Sequence, residues 1–111
     1  MLTRTKLTIL TAVLSAVLAS TASGAFAETL WEKNHPRRDE INDRIRLQDA
    51  RIDLKVATGQ MTPEKARYLH REDYRILLQE REMAANDGGH ITLVDQFALN
   101  QELDVVSKQI G

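Results

Sequence analysis

The chain has 111 residues, of which 42% are hydrophobic and 28% are charged, with no cysteine and a formal net charge of −1. This length and composition predict a single globular domain. The absence of cysteine excludes a disulfide framework, a thiol nucleophile and a zinc–thiolate site, and the near-zero net charge argues against a nucleic-acid-binding protein.

The N-terminus has the pattern of a secretory signal peptide. Its first residues include two basic side chains and no acidic one, residues 7–18 are mainly apolar, and Ala25 and Ala27 place small residues at positions −3 and −1 of a cleavage site. We therefore predict that residues 1–27 are a signal peptide cleaved after Ala27, and that the mature protein is periplasmic or secreted. The apolar stretch is short for a membrane span, which needs about 20 residues. An uncleaved anchor is the alternative.

The mature part, residues 28–111, contains 84 residues with 13 Lys and Arg and 16 Asp and Glu, a net charge of −3. A chain of this size buries only about 60–65% of its unfolded surface, which leaves little interior for a deep pocket. Self-association or a partner would add stability. We expect residues 28–35 to be a flexible segment and residues 36–111 to form a three-helix domain.

Two turn-like stretches share the order glycine, any residue, apolar residue, threonine. Gly59 in the first stretch, and Gly88 or Gly89 in the second, can adopt the positive φ that ends a helix, and Thr62 and Thr92 can cap the helix that follows. The chain is therefore predicted to be all-α.

Three helices are predicted: from near Pro36 to about Ala57, from Pro63 to about Ala85, and from Leu93 to about Gln109. The first two are expected to form an antiparallel hairpin. Because no stretch alternates with period two over a useful length, we predict no sheet.

Each predicted helix has an apolar face, and the first and third have a second one. On the first helix, one stripe consists of Ile41, Ile45, Ile52 and Val56, and a second consists of Leu47 and Leu54. The apolar face of the second helix consists of Ala66, Leu69, Ile76, Leu77, Met83 and Ala84. On the third helix, the first stripe consists of Val94, Phe97, Ala98 and Val105, and the second consists of Leu99, Leu103, Val106 and Ile110. A helix with two apolar stripes typically contacts two neighbours, or one neighbour and another subunit.

Charged residues recur every seven positions on the first two helices. Arginine occupies positions 37, 44 and 51, and Asp73 and Glu80 lie on the apolar face of the second helix. An antiparallel hairpin in which facing residue numbers add to 117 predicts the ion pairs Arg44–Asp73 and Arg37–Glu80. The alternative is that all these side chains point into water. A carboxylate held ionised beside an arginine is not suited to general acid catalysis.

No catalytic motif is present. The sequence lacks a G-x-S-x-G elbow, a phosphate-binding glycine-rich loop and a dinucleotide fingerprint, and Ser107 is the only serine after residue 27. We therefore predict a protein that is not an enzyme, with no catalytic or cofactor-binding residue and no cofactor.

The metal-binding signals are weak. None of His35, His70 and His90 lies four residues from another, so no helix offers a two-histidine metal face. A calcium loop around Gly89 would have too few oxygen ligands and no bidentate glutamate. We predict no metal ligands. The alternative function, a small periplasmic metal-binding or metal-responsive protein, rests on these three histidines, two of which could meet Asp87 near one end of the molecule.

Several segments resemble a family of small, uncharacterised, exported bacterial proteins. They are Asn34-His35-Pro36-Arg37-Arg38, Leu69-His70-Arg71-Glu72-Asp73, Glu80-Arg81-Glu82-Met83-Ala84, Gly88-Gly89-His90-Ile91-Thr92 and Leu99-Asn100-Gln101. The resemblance covers nearly all of the mature chain and implies export and a compact helical fold. It also implies that His70, Asp73 and Glu80 belong to a shared structural pattern.

Two further segments resemble the Leu-Thr-x-x-Gln motif of periplasmic stress proteins of the Spy and CpxP kind, although both lack the terminal glutamine. They are Met61-Thr62-Pro63-Glu64-Lys65 and Ile91-Thr92-Leu93-Val94-Asp95.

We therefore predict a non-catalytic protein that binds other proteins, chaperone-like or accessory to an envelope complex. Its expected contact surface comprises the second apolar stripes and the segment around Trp31. These stripes could instead close the bundle or a homo-oligomer.

Overall fold

A computed structural model describes residues 28–111, so the predicted signal peptide and its cleavage lie outside the described residues. This part of the chain contains four helices and no strand: α1 (Leu30–Asn34), α2 (Pro36–Ala57), α3 (Pro63–Ala85) and α4 (Leu93–Ile110). The all-α prediction is confirmed, and the predicted number of three helices was wrong. None of the four combines the length and the apolar character needed to cross a membrane.

The additional helix, α1, begins with a reciprocal capping box. The backbone N–H of Thr29 donates to Glu32 Oε1 at 2.7 Å, and the backbone N–H of Glu32 donates to Thr29 Oγ1 at 3.1 Å. The helix ends before His35, which precedes Pro36 and has φ −131° and ψ 57°, because a residue before proline disfavours the helical conformation. With five residues and none buried, α1 is too short to show an apolar period.

The three long helices begin and end where local signals predicted, except that α4 continues to Ile110. The Thr62 side chain accepts a hydrogen bond from the backbone N–H of Lys65 at 3.2 Å. Thr92 and Asp95 form a second capping box, with hydrogen bonds of 3.0 and 3.2 Å. These caps satisfy backbone donors that a helix start otherwise leaves unpaired.

The end of α2 is a Schellman motif. Gly59 adopts φ +74°; its N–H donates to Val56 O at 3.0 Å, and the N–H of Gln60 donates to Lys55 O at 2.8 Å. A positive φ strains side-chain-bearing residues, so glycine is the natural choice here. This motif reverses the chain into the turn before α3.

The three long helices pack pairwise around one core. Its buried apolar residues are Ile41, Ile45, Ile52, Met61, Ala66, Leu69, Ile76, Ala84, Ile91, Leu99, Leu103, Val106 and Ile110, with Val56, Leu77 and Met83 partly buried against them. Of the two apolar stripes on α4, the second, which begins at Leu99, therefore faces the core. Its inclusion in the expected contact surface was wrong, because this stripe closes the bundle and the first stripe, with Val94 and Phe97, is the exposed one.

Contacts between the helices give their relative direction. Near the start of α2, Arg38 contacts Glu80 near the end of α3. Near the end of α2, Arg51 contacts Ser107 near the end of α4. Residue numbers therefore run in opposite senses along α2 and α3 and in the same sense along α2 and α4. Helix α2 thus has a polar contact line with each neighbour.

The two turns place an apolar side chain in the core directly before each threonine cap. Met61 and Ile91 are 7% and 1% exposed. An apolar residue before the N-cap fixes the angle at which the chain enters a helix. The similar turn sequences thus position α3 and α4 by the same means.

Replacing Ile91 with alanine is expected to destabilise the protein by about 2–4 kcal/mol, because it leaves a cavity beneath the second turn. Urea unfolding at neutral pH measures this free energy. Leu93→Ala is the matched control: Leu93 is 70% exposed, so the expected change is within about 0.5 kcal/mol. Equal losses in the two variants would contradict the anchoring role of Ile91.

Candidate functional site

A line of polar contacts joins α2 to α4. Arg37 Nε donates to the backbone oxygen of Ile91 at 2.8 Å. Arg44 donates to Asn100 Oδ1 at 2.8 Å and to Asp104 Oδ1 at 3.0 Å. Two of the three arginines in the seven-residue repeat therefore bind the turn before α4 and the middle of α4.

The line continues toward the end of both helices. Arg51 donates to Ser107 Oγ at 3.1 Å and to the backbone oxygen of Gly111 at 2.9 Å. Between these arginines, the buried Gln48 amide donates to the backbone oxygen of Leu103 at 2.9 Å. All three arginines of the repeat therefore bind α4 or the residues directly before and after it, and none of them is paired with α3.

The predicted ion pairs Arg44–Asp73 and Arg37–Glu80 were therefore wrong. The alternative, that all these charged side chains point into water, was also wrong, because Asp73 and Glu80 have no exposed surface. A repeat of seven marks one face of α2 without indicating which neighbour covers it. Here α4 covers the arginine face, and α3 packs against a different side of α2.

Glu80 is instead paired with Arg38. The guanidinium Nε of Arg38 donates to Glu80 Oε1, and its Nη1 donates to the backbone oxygen of Gly89 at 3.1 Å. Arg38 thereby ties the end of α3 and the second turn to the start of α2. A buried carboxylate needs such a partner, because desolvation strongly disfavours an isolated charge.

Asp73 lies seven residues before Glu80 on the same face of α3, but no arginine of the described residues is paired with it. It is fully buried, and neither carboxyl oxygen accepts a hydrogen bond from any residue between 28 and 111. Burial, the capacity to hydrogen-bond with the Asp49 carboxyl group and the negative charge of Asp49 raise the pKa of Asp73 to about 7, and the positive charges of His70 and Arg44 act against this increase. Two ionised carboxylates cannot hydrogen-bond to each other, so a hydrogen bond between Asp73 and Asp49 would need a proton on one of the two groups.

His70 lies between two carboxylates of α2. Its Nδ1 is 2.8 Å from Asp49 Oδ1, and its Nε2 is 2.9 Å from Asp53 Oδ1. Burial lowers the pKa of His70, but the hydrogen bonds and charges of Asp49 and Asp53 outweigh it, so the pKa lies above its ordinary value. The imidazolium form can donate to both carboxylates at once.

These four residues form a continuous chain, which we call the acid–histidine cluster: Asp73, Asp49, His70 and Asp53. The spacing that positions them is local, since Asp49 and Asp53 are four residues apart on α2 and His70 and Asp73 three apart on α3. The partners of His70 were missed in the sequence because no motif links residues on different helices. A metal ion would have to displace a carboxylate from the imidazole, because both ring nitrogens are in use.

The other two histidines meet elsewhere. The rings of His35 and His90 stack with centroids 4.7 Å apart and planes inclined by 16°, and with Arg37 and Arg38 they line a small cavity. Nitrogen lone pairs lie in the ring plane, so near-parallel stacked rings do not direct them to a common point. His70 belongs to the acid–histidine cluster, so the three histidines do not form one ligand set.

The outer faces of α2 and α4 carry large apolar side chains. On α4, Val94, Phe97 and Val105 are 77%, 66% and 56% exposed, and on α2, Leu47 and Leu54 are 66% and 64% exposed. No helix within residues 28–111 covers them. These exposed apolar side chains of α2 and α4 are accessible to a macromolecule.

Comparison with known proteins gives no relative. No family model, curated protein or solved structure matches the chain.

Replacing Arg38 with alanine is expected to destabilise the protein by about 3 kcal/mol, because it leaves the Glu80 carboxylate buried without its cation. Arg46→Ala is the matched control: Arg46 pairs with Asp43 on the protein surface, and removal of such a pair changes stability by about 0–1 kcal/mol. Urea unfolding of both variants at pH 7 makes the comparison. If Arg38→Ala lowers the free energy of unfolding no more than Arg46→Ala does, the buried pair does not stabilise the contact between α2 and α3.

Proposed function

We propose that this chain is an exported, non-catalytic helical protein that acts by binding other proteins in the periplasm or outside the cell. In this proposal residues 1–27 are removed as a signal peptide after Ala27, and α2 and α3 form the helical hairpin on which α4 is presented. The observation that carries the proposal is the row of exposed apolar side chains on the outer face of α4.

The outer face of α4 has the composition of a contact surface. Val94, Phe97 and Val105 fall within about 80° of one another on a helix of 3.6 residues per turn, and Leu93 adds a fourth exposed apolar side chain at the start of the helix. Clustered exposed apolar residues of this kind mark interaction surfaces more often than chance. Aromatic residues such as Phe97 are favoured at the centre of protein interfaces.

The side chains that line this face favour a protein ligand that offers apolar segments. Leu93, Gln96, Phe97 and Asn100 line a shallow groove that combines apolar contact with amide groups able to hydrogen-bond to a peptide backbone. Asn100 and Gln96 are already held in place by Glu40 of α2, each at 2.9 Å. A groove with fixed amides and a central phenyl ring is suited to exposed chain segments of partly unfolded or unassembled proteins.

Replacing Val94 and Phe97 together with serine is expected to weaken binding of an unfolded client, reduced α-lactalbumin, by about tenfold or more, because burial of a phenylalanine alone contributes about 1.5–3 kcal/mol. The binding is measured by light scattering of the aggregating client and by fluorescence anisotropy of a labelled client. Both positions are exposed, so helix content and unfolding free energy should be unchanged.

The matched control replaces Gln101 and Lys108, two exposed polar residues of the same helix, with serine, and client binding should be retained. Sedimentation equilibrium gives the mass of each variant. Absence of client binding by the unmodified protein, or a homodimer whose dissociation follows the Val94 and Phe97 changes, would contradict the proposal and show that the face closes a dimer.

A further inference from the structure

The acid–histidine cluster contains a fully buried carboxyl group, Asp73, that faces a second carboxyl group on the neighbouring helix. We propose that Asp73 and Asp49 share a proton and that, together with His70, they form a proton-dependent latch between α2 and α3, which weakens as the proton leaves. This inference goes beyond the proposed protein binding and does not depend on it.

The geometry favours a proton between the carboxyl groups of Asp73 and Asp49. Neither Asp73 oxygen accepts a hydrogen bond from the described residues. Arg44, the arginine whose charge acts on Asp73, is held by Asn100 and Asp104. A protonated Asp73 supplies the donor that the contact with Asp49 lacks. Asp49 then accepts one hydrogen bond from Asp73 and one from His70 Nδ1, which lies 2.8 Å away.

The other charged groups around the cluster are occupied. On α2, Asp53 accepts from His70 Nε2 at 2.9 Å. On α4, Glu102 accepts from Arg75 and Gln79 of α3, and Asp104 accepts from Arg44. These contacts neutralise the acids of α4 locally and leave no spare cation beside Asp73. Loss of the proton therefore leaves adjacent like charges.

The direction of the pH effect follows from proton binding in the folded and unfolded states. The pKa of Asp73 rises from 3.8 to about 7 on folding, so between these values the folded state holds a proton that the unfolded state has lost, and stability falls as pH rises. The pKa of His70 is also raised, so its contribution is present at low pH and is lost as pH rises through the folded-state pKa. Both groups therefore weaken the latch in the same direction.

Asp73→Asn tests the latch directly, because asparagine has the shape of the protonated acid and keeps a donor at all pH values. Urea unfolding of the variant and of the unmodified protein is measured from pH 5 to pH 9. The ratio of their unfolding constants, unmodified over variant, is expected to rise by about tenfold per pH unit between pH 5 and 7 and to level off above the Asp73 pKa. Asp87→Asn, at an exposed position in the second turn, is the matched control, and its ratio should stay constant.

A second measurement does not depend on a variant. Carbon-13 NMR of the side-chain carboxyls should show Asp73 titrating near neutral pH, together with faster amide exchange at the cluster, after correction for the intrinsic pH effect, as the proton is lost. A titration midpoint near 4, or a pH dependence that Asp73→Asn leaves intact, would overturn the latch. Stabilisation of the unmodified protein, but not of Asp73→Asn, by Zn²⁺ at pH 7.5 would also overturn it, since a metal would then be the occupant.

Discussion

The polar side chains of α2 determine how the long helices of this protein assemble. One face of α2 presents Arg37, Arg44 and Arg51 to α4, and another presents Arg38, Asp49 and Asp53 to α3. Apolar burial is non-directional and would tolerate many rotations and shifts of one helix along another. Hydrogen bonds with defined geometry do not, so these contacts select one register for a small core.

The two buried acids of α3 occupy different environments. Glu80 is paired with Arg38, which places a cation beside the buried carboxyl group. Asp73 lies seven residues earlier on the same face, beside another carboxylate and without a cation of its own. The same residue class on one helix face therefore provides a contact with arginine near one end and, in the proposed latch, a proton-binding contact near the middle. The difference arises from α2, which offers an arginine at one level and an aspartate at the other.

The core and the proposed binding face of α4 use different apolar side chains of the same helix. The core is filled by aliphatic side chains, and its polar groups are used to join helices. On the proposed binding face of α4, Val94 and Phe97 are exposed. The groove beside them also includes Gln96 and Asn100, which take part in the polar contacts between α2 and α4. In the proposed function a partner would therefore contact residues that also join α2 to α4, whereas the proposed proton latch lies between α2 and α3.

Local signals in the sequence determined the helix boundaries, the threonine caps, the glycine turns and the apolar stripes of the helices, because each depends on residues within one or two turns of helix. Which stripe of α4 faces the core was decided by the tertiary structure. The capping box of Thr29 and Glu32 was also present in the sequence, yet α1 was not predicted because five residues show no apolar period. Which neighbour covers the arginine face of α2, and which carboxylates surround His70, was decided only by the tertiary structure. The physical reason is that periodicity specifies the direction of a side chain around its own helix axis, whereas a partner depends on where a second helix lies and how far it is shifted along the first.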